Sequence, residues 1–402
     1  MIITPSVSVI SPDRVERNVA LRLRASGSEH SEPLVVPGAI AYVPLINSHD
    51  HLVGNWVPRA GDKRPYPNSH IWVEDMKESF SFHERNNFWA NDGSFKLCEG
   101  GALHMALLGS YKNLFSGCGT VQDHAPVQDS CYYNSFPVNV ISAFRQCHSI
   151  TLGNWWGGKT ASEEMHLSHG KLPFVIHLAE GVDDLTAREF SELEKQGLLK
   201  DNTLMIHGIA LSEAELERIA ATGASVCWCP SSNYYLIGET LKIDLALKHG
   251  VNVVIGTDST MSGGVNLIAE FDVIHQKHPG LPLNLLYRMV TENAVRALKL
   301  PARYGNLDPE NCENLLLVDG VDQDPFENLL IMEAASIQLM VVDGIARFGD
   351  LEWMERLKLE EDKYTTFRTG NKEKFVLGDP MELNDEVDAA LGYHKDFPYL
   401  PF

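Results

Sequence analysis

Near the start of the chain, Val19, Leu21 and Leu23 alternate with polar neighbours, the period-two pattern of a half-buried strand. Pro33 and Pro37-Gly38 punctuate this region as turns. The segment 315–345 has the same character. Residues 315–318 and 338–342 are short β-rich runs, the second closed by Asp343-Gly344. The two pieces predict one small β-sandwich domain assembled from both chain ends, residues 1–41 plus 301–348.

Between them, strand-like and helix-like runs alternate. Strands are predicted at 41–47, 119–123, 138–144, 148–152, 174–178, 203–207, 224–229 and 251–256. Helices are predicted at 96–114 and 212–221, the second opening with a Ser212/Glu215 capping box. Such alternation implies a parallel sheet. Eight β units over this length predict an α/β fold, a (β/α)8 TIM barrel over residues 42–300. The tail, 349–402, reads as an acidic extension that packs on the barrel or on a second subunit.

Composition narrows the class. The 402 residues are 44% hydrophobic and 22% charged, which excludes disordered, collagen-like and coiled-coil chains. Lys and Arg number 33 against 54 Asp and Glu, a net charge of −21 that argues against nucleic acid or an anionic membrane as partner. No run approaches the ~18 uninterrupted apolar residues of a membrane span. The start, Met1-Ile2-Ile3-Thr4-Pro5, does not read as a signal peptide. Seven scattered cysteines, with Cys227 and Cys229 too close for a zinc knuckle, suggest reduced thiols in a cytoplasmic protein.

A barrel of this kind keeps its chemistry at the C-terminal ends of its strands. The first strand ends Asn47-Ser48-His49-Asp50-His51, and residues two apart share a face, so His49 and His51 can meet one cation. The fifth ends His177-Leu178-Ala179-Glu180, the sixth Ile206-His207-Gly208, and the eighth Gly256-Thr257-Asp258-Ser259. Each has a bland reading: paired loop histidines, a core histidine, a helix-capping aspartate. Together they put imidazoles and carboxylates on one rim. Neutral histidines with one carboxylate suit a borderline divalent ion, zinc first and ferrous iron second, and suit calcium or magnesium poorly.

These motifs, with Pro44-Leu45-Ile46 before the first and Cys229-Pro230-Ser231-Ser232-Asn233 after the seventh strand, resemble the amidohydrolase superfamily. The resemblance lies in its branch of heterocycle deaminases and s-triazine chlorohydrolases and covers about residues 35–345. It implies one divalent metal held by His49, His51, His177 and Asp258, with Glu180 and His207 acting beside it. Such an ion lowers the pKa of a bound water to roughly 7, giving hydroxide at neutral pH. In that pattern Asp258 accepts the water proton, Glu180 protonates a ring nitrogen and His207 stabilises developing charge. The implied activity is deamination of an aminated purine, pyrimidine, pterin or triazine by a homo-oligomeric enzyme. Dechlorination, amide or lactam hydrolysis, and metal binding without turnover are the alternatives.

The substrate-reading residues are less constrained. Trp56, Trp72, Trp155 and Trp156 are candidates to stack a planar ring, against the ordinary reading of tryptophan as core. His124, in Gln122-Asp123-His124, is a candidate for the mouth of the site, and Arg59 for an anionic group. Asn233 reads as a loop-ordering residue, and Cys227 and Cys229 as packing. No nucleophile-elbow motif surrounds any Ser or Cys, and no GxGxxG turn supports a dinucleotide enzyme.

Overall fold

The computed structural model describes residues 1–26, 32–89, 96–153, 157–321 and 324–402. Four strands open the chain: β1 (Ile2–Ser11), β2 (Arg14–Arg17), β3 (Leu21–Arg22) and β4 (Leu34–Tyr42). Eight follow at the heart of the fold: β5 (Leu45–Asp50), β6 (Cys118–Asp123), β7 (Asn139–Val140), β8 (Arg145–Ser149), β9 (Phe174–Leu178), β10 (Thr203–His207), β11 (Ser225–Trp228) and β12 (Asn252–Ile255). Five close the chain: β13 (Leu315–Asp319), β14 (Ile337–Val342), β15 (Ile345–Asp350), β16 (Tyr364–Thr369) and β17 (Lys372–Leu377).

The expected run 41–47 is broken in two at Val43-Pro44, where proline has no N–H to give to a ladder. β4 belongs to the terminal sheet and β5 to the central one. The seventh strand is only two residues long, and the eighth begins at Arg145 rather than His148. Polar Arg145 and Gln146 hid that start from a hydrophobicity reading.

The chain ends build one continuous nine-stranded sheet in the order β16-β17-β15-β14-β13-β4-β1-β2, with β3 paired to β1. This differs from the two facing sheets of the expected sandwich. Its alternation nonetheless serves two cores. Leu315 and Leu317 pack with Ala39, Ala41, Leu339, Val341 and Trp353. Leu316 and Val318 point the other way and join Ile40, Tyr42, Met340 and Val342 in the main core. Both faces are covered, so β13 reads as an unbroken apolar run. Beyond 349 the chain continues this sheet before its last helix, Pro380–Leu391. β15 runs to Asp350, and β16 and β17 complete the sheet.

The eight central strands form two parallel arcs, β5-β6-β7 and β8-β9-β10-β11-β12. Backbone hydrogen bonds from Thr257 (3.0 Å) and Asp258 (3.1 Å) to His49 O tie the end of β12 to β5. Between the arcs, Ile46, Val175, Leu204, Ile206, Cys227 and Val254 form an inner apolar cluster. The opposite parity, including Ile176, Met205, Val226 and Val253, packs outward. Among the described residues no helix is long and apolar enough to cross a membrane.

Three α-helices lie between β5 and β6 among the described residues: α1 (Ser69–Met76), α2 (Phe80–Trp89) and α3 (Gly100–Leu114). The Ser212/Glu215 capping box is present as expected. Cys98, just before α3, is joined by a disulfide to Cys131, contrary to the reading of all cysteines as reduced. The fold brings two positions 33 residues apart to a Cα separation of 6.1 Å, which sequence spacing alone does not reveal. The other five cysteines are buried free thiols.

α3 carries Lys112, whose side chain is fully buried beneath the strand ends. Its Nζ donates to Asp50 Oδ1 (3.2 Å), Asn55 Oδ1 (2.9 Å) and Asp258 O (3.0 Å). Asn47, Asn55 and Asn113 also donate to the Asp50 carboxylate. Breaking such a pair leaves an uncompensated buried charge, so Lys112→Met is expected to lower unfolding free energy by about 3–5 kcal/mol in a urea titration.

In helix Leu267–Lys277, buried Glu270 accepts N–H from Ser231 and Gly264, each at 2.9 Å. Burial nevertheless pushes its pKa up to about 7. A carboxyl whose folded pKa lies above its unfolded value contributes less stability as pH rises from about 4.5 through 7. This opposes the rise that the buried neutral histidines give over the same range, so Glu270→Gln is expected to make the urea midpoint rise more steeply between pH 5 and 8 than in wild type.

Candidate metal and active site

β5 ends in a register irregularity against β6 between Asn47 and Asp50, and His49 and His51 leave it with imidazole centroids 4.8 Å apart. A bulge of this kind re-aims side chains at a strand end. His51 Nδ1 lies 3.0 Å from His124 O, and His177 Nδ1 lies 2.8 Å from His148 O. A carbonyl only accepts, so each ring carries its proton on Nδ1 and turns an Nε2 lone pair inward. Those two Nε2 atoms face each other at 3.3 Å. Asp258 Oδ1 lies 3.7 Å from His51 Nε2 and 3.9 Å from His49 Nε2. Both ring nitrogens of His49 are buried without a hydrogen-bond partner among the described residues.

Two opposed lone pairs, an orphaned buried imidazole and a carboxylate cannot satisfy one another. A cation among them can, so the donor set fits a divalent ion. Burial drives His49 and His177 well below the ordinary histidine pKa and lowers His51, keeping all three in the neutral form a metal needs. Burial pushes Asp258 up, but the His51 and His207 imidazoles outweigh it and hold the carboxyl low. Ser232 Oγ (2.8 Å), Ser262 Oγ (2.9 Å) and Ser259 N (2.7 Å) donate to Asp258 and fix its orientation.

Glu180, His207 and Asp258 form an adjoining group, with His207 Nε2 3.4 Å from Glu180 Oε1. Burial and the Asp258 charge raise the Glu180 pKa against the opposing pull of His207. Strict alternation in β10 sends Leu204 and Ile206 inward and His207 outward. The left-handed backbone at His207, φ 74°, turns its ring back toward His177, 5.4 Å away. Ala179 (φ 56°) and Asp258 (φ 54°) are left-handed too, so three strand ends at this site hold backbone that ordinary residues avoid. Asn233 Oδ1, 2.8 Å from His207 Nδ1, anchors that ring, a more direct role than ordering its own loop.

A cavity partly open to solvent sits over these groups. His51, His148, His177, Glu180, His207 and Asp258 line its floor. Its walls are Trp72, Val73 and Met76 from α1 and Phe82, Arg85 and Trp89 from α2. α2 is pinned from its other face. Glu84 accepts from Trp56 Nε1 (3.0 Å) and from Lys395 Nζ (2.6 Å), and it also bonds the Tyr393 hydroxyl. Tyr399 OH donates to Asn55 O at 3.2 Å. The last residues of the chain thus brace the cavity wall.

The structure gathers His49, His51, His124 and His177 in one group and Glu180, His207 and Asp258 in another, with Asp258 Oδ1 near His49 and His51. Two of the substrate-reading expectations are corrected. Trp56 is 2% exposed and stacks on Phe88 in the core instead of facing the cavity. His124 is 0% exposed and stacks against His177 within the histidine group, and it does not line the cavity. Trp155 and Trp156 lie outside the described residues. Trp72 does line the cavity, while Arg59 donates to Gly263 O and lines a different pocket. His148 and Arg85 were missed. His148 was read as the start of a strand rather than its end, and Arg85 sits in a helix without a motif.

Comparison with known proteins agrees with this geometry. The chain is 30% identical over 175 residues to a 5-methylthioadenosine/S-adenosylhomocysteine deaminase of Syntrophobacter fumaroxidans, covering 40% of each chain. It is 31% identical over 140 residues to the guanine deaminase of Mus musculus, covering 31% of this chain and 30% of that one. The chain thus spans about 40% or less of the length of these curated relatives. Among solved structures it resembles the atrazine chlorohydrolase of Arthrobacter aurescens complexed with zinc, with a TM-score of 0.65 at 17% identity over 86% of this chain and 94% of that one. An adenosine deaminase of Xanthomonas campestris with bound zinc gives 0.61 at 16% identity, covering 86% and 92%. At such identities these structures speak for the shared fold. The model of the amidohydrolase family matches residues 162–347 of this chain.

Proposed function

We propose that this chain is a metal-dependent hydrolase that deaminates an N-heterocycle of the purine, pyrimidine, pterin or triazine type. His49, His51, His177 and Asp258 would hold one divalent ion, zinc before iron. The opposed Nε2 atoms of His51 and His177, 3.3 Å apart beside Asp258, carry this reading. The two arcs are read as one closed (β/α)8 barrel, supported by the Thr257 and Asp258 bonds to His49 O.

When bound, such an ion supplies a water acidified toward a pKa of roughly 7. The net reaction replaces a ring amino group by the water oxygen and releases ammonia. Asp258 accepts from two serine hydroxyls on Oδ2 and from Ser259 N on Oδ1, which faces the histidines, so its carboxylate is fixed in place to take a proton from the attacking water. Glu180 is held protonated longer than an ordinary carboxylic acid, which suits a group that delivers its proton to a ring nitrogen. His207, anchored through Nδ1 by Asn233, keeps Nε2 beside Glu180 and steadies the charge that develops there. Trp72, Trp89 and Phe82 offer apolar walls that stack a planar ring and exclude water.

Elemental analysis is expected to find about one divalent ion per chain in wild type and none in His177→Ala or Asp258→Ala. Glu180→Gln should retain the ion while ammonia release falls by about 10²–10⁴-fold. Turnover should also decline as pH rises through the raised Glu180 pKa. A Glu180→Gln variant as active as wild type would remove the proton-donor assignment.

A further inference from the structure

α2 divides its faces cleanly. Glu84 and Phe88, four apart, turn toward Trp56 and the chain end, whereas Phe82, Arg85 and Trp89 line the cavity. Arg85 is the one lysine or arginine in that lining. Its guanidinium carbon lies 4.1 Å from the Phe82 ring centroid and 5.9 Å from that of Trp89. Its Nε (3.3 Å) and Nη2 (3.0 Å) donate to the neutral Asn86 Oδ1. Among the described residues no carboxylate pairs with it.

A half-buried arginine without an anion is costly, and the aromatic faces replace only part of the lost hydration. Burial alone lowers its pKa, to about 10, with no acidic neighbour opposing the shift. The guanidinium fork suits a planar oxyanion that can accept two parallel hydrogen bonds. The chain's net charge of −21 repels anions at large, so an anionic substrate needs a local cation of this kind. The bracing of α2 by Glu84, Lys395 and Tyr393 holds the guanidinium on a fixed element, as a selectivity group requires.

We propose that Arg85 forms an anion subsite in the wall of this cavity, and that the heterocycle accepted there carries a carboxylate or phosphate substituent gripped by the guanidinium. The subsite names a substrate class for the deaminase reading and rests on it.

The test uses the metal-loaded full chain and ring-matched probes. These are pterin against pterin-6-carboxylate, cytosine against 5-carboxycytosine, and adenosine against both adenosine 5′-monophosphate and adenosine-5′-carboxylate. On the ring it accepts, wild type is expected to favour an anionic member in kcat/KM by about tenfold or more. The two anionic adenosines separate phosphate from carboxylate. Arg85→Met should erase the preference chiefly through KM, and Arg85→Lys should restore part of it. A wild-type preference for the neutral member on every accepted ring overturns the subsite, and so does an Arg85→Met selectivity equal to wild type. The wild-type arm decides the matter if the variant does not fold. If no ring is deaminated, the deaminase reading falls instead. The subsite is then judged by calorimetric binding of the same probes, and equal affinity for neutral and anionic members overturns it.

Discussion

Two imidazoles turned nitrogen to nitrogen at 3.3 Å, next to a carboxylate at the floor of the cavity, set the terms for this fold. The arrangement is unfavourable as a set of protein groups alone. Each ring is nonetheless held by a backbone carbonyl, from His124 for His51 and from His148 for His177. Those carbonyls lie at the ends of other strands, so the inward lone pairs depend on strand register around the centre. A divalent ion turns the same geometry from repulsive to attractive, and that dependence explains why so much surrounding structure is devoted to aiming side chains.

The support extends beneath the strand ends. Lys112 reaches up from α3 to Asp50, Asn55 and the Asp258 carbonyl, linking the first strand, its following turn and the last strand in one buried network. Left-handed backbone at Ala179, His207 and Asp258 concentrates strain where the chemistry is placed. At the rim, the chain end braces α2 through Glu84 and so fixes the wall that a substrate meets. Histidine and carboxylate cluster, buried network and wall are successive layers of one preorganised cavity.

Much of the centre was legible in the sequence because it rests on local order. A histidine or aspartate closing a continuous apolar run marks a strand end, and four such ends share a rim. The apolar runs of β9 and β10 coincide with their predicted limits because those strands are buried on both faces. Elsewhere the signal failed for identifiable reasons. Polar residues open β8, so His148 was placed at the wrong end of its strand. His124 follows a strand just as a mouth residue would, yet its ring is buried within the histidine group, and only packing decides that. Trp56 could not be told from Trp72 by pattern, although one bonds Glu84 in the core and the other faces the cavity. The Cys98–Cys131 bond and the return of the chain end to α2 are long-range contacts without any sequence period.

The central claim is that one divalent ion sits among His49, His51, His177 and Asp258. Anomalous diffraction across the zinc and iron absorption edges, from crystals grown without chelator, tests it most directly. The account predicts a single strong peak within about 2.0–2.2 Å of ligand atoms from all four residues. It is contradicted by no peak there, by a peak ligated through His124 in place of Asp258, or by metal only at the exposed Glu213, Glu217 and His249 group.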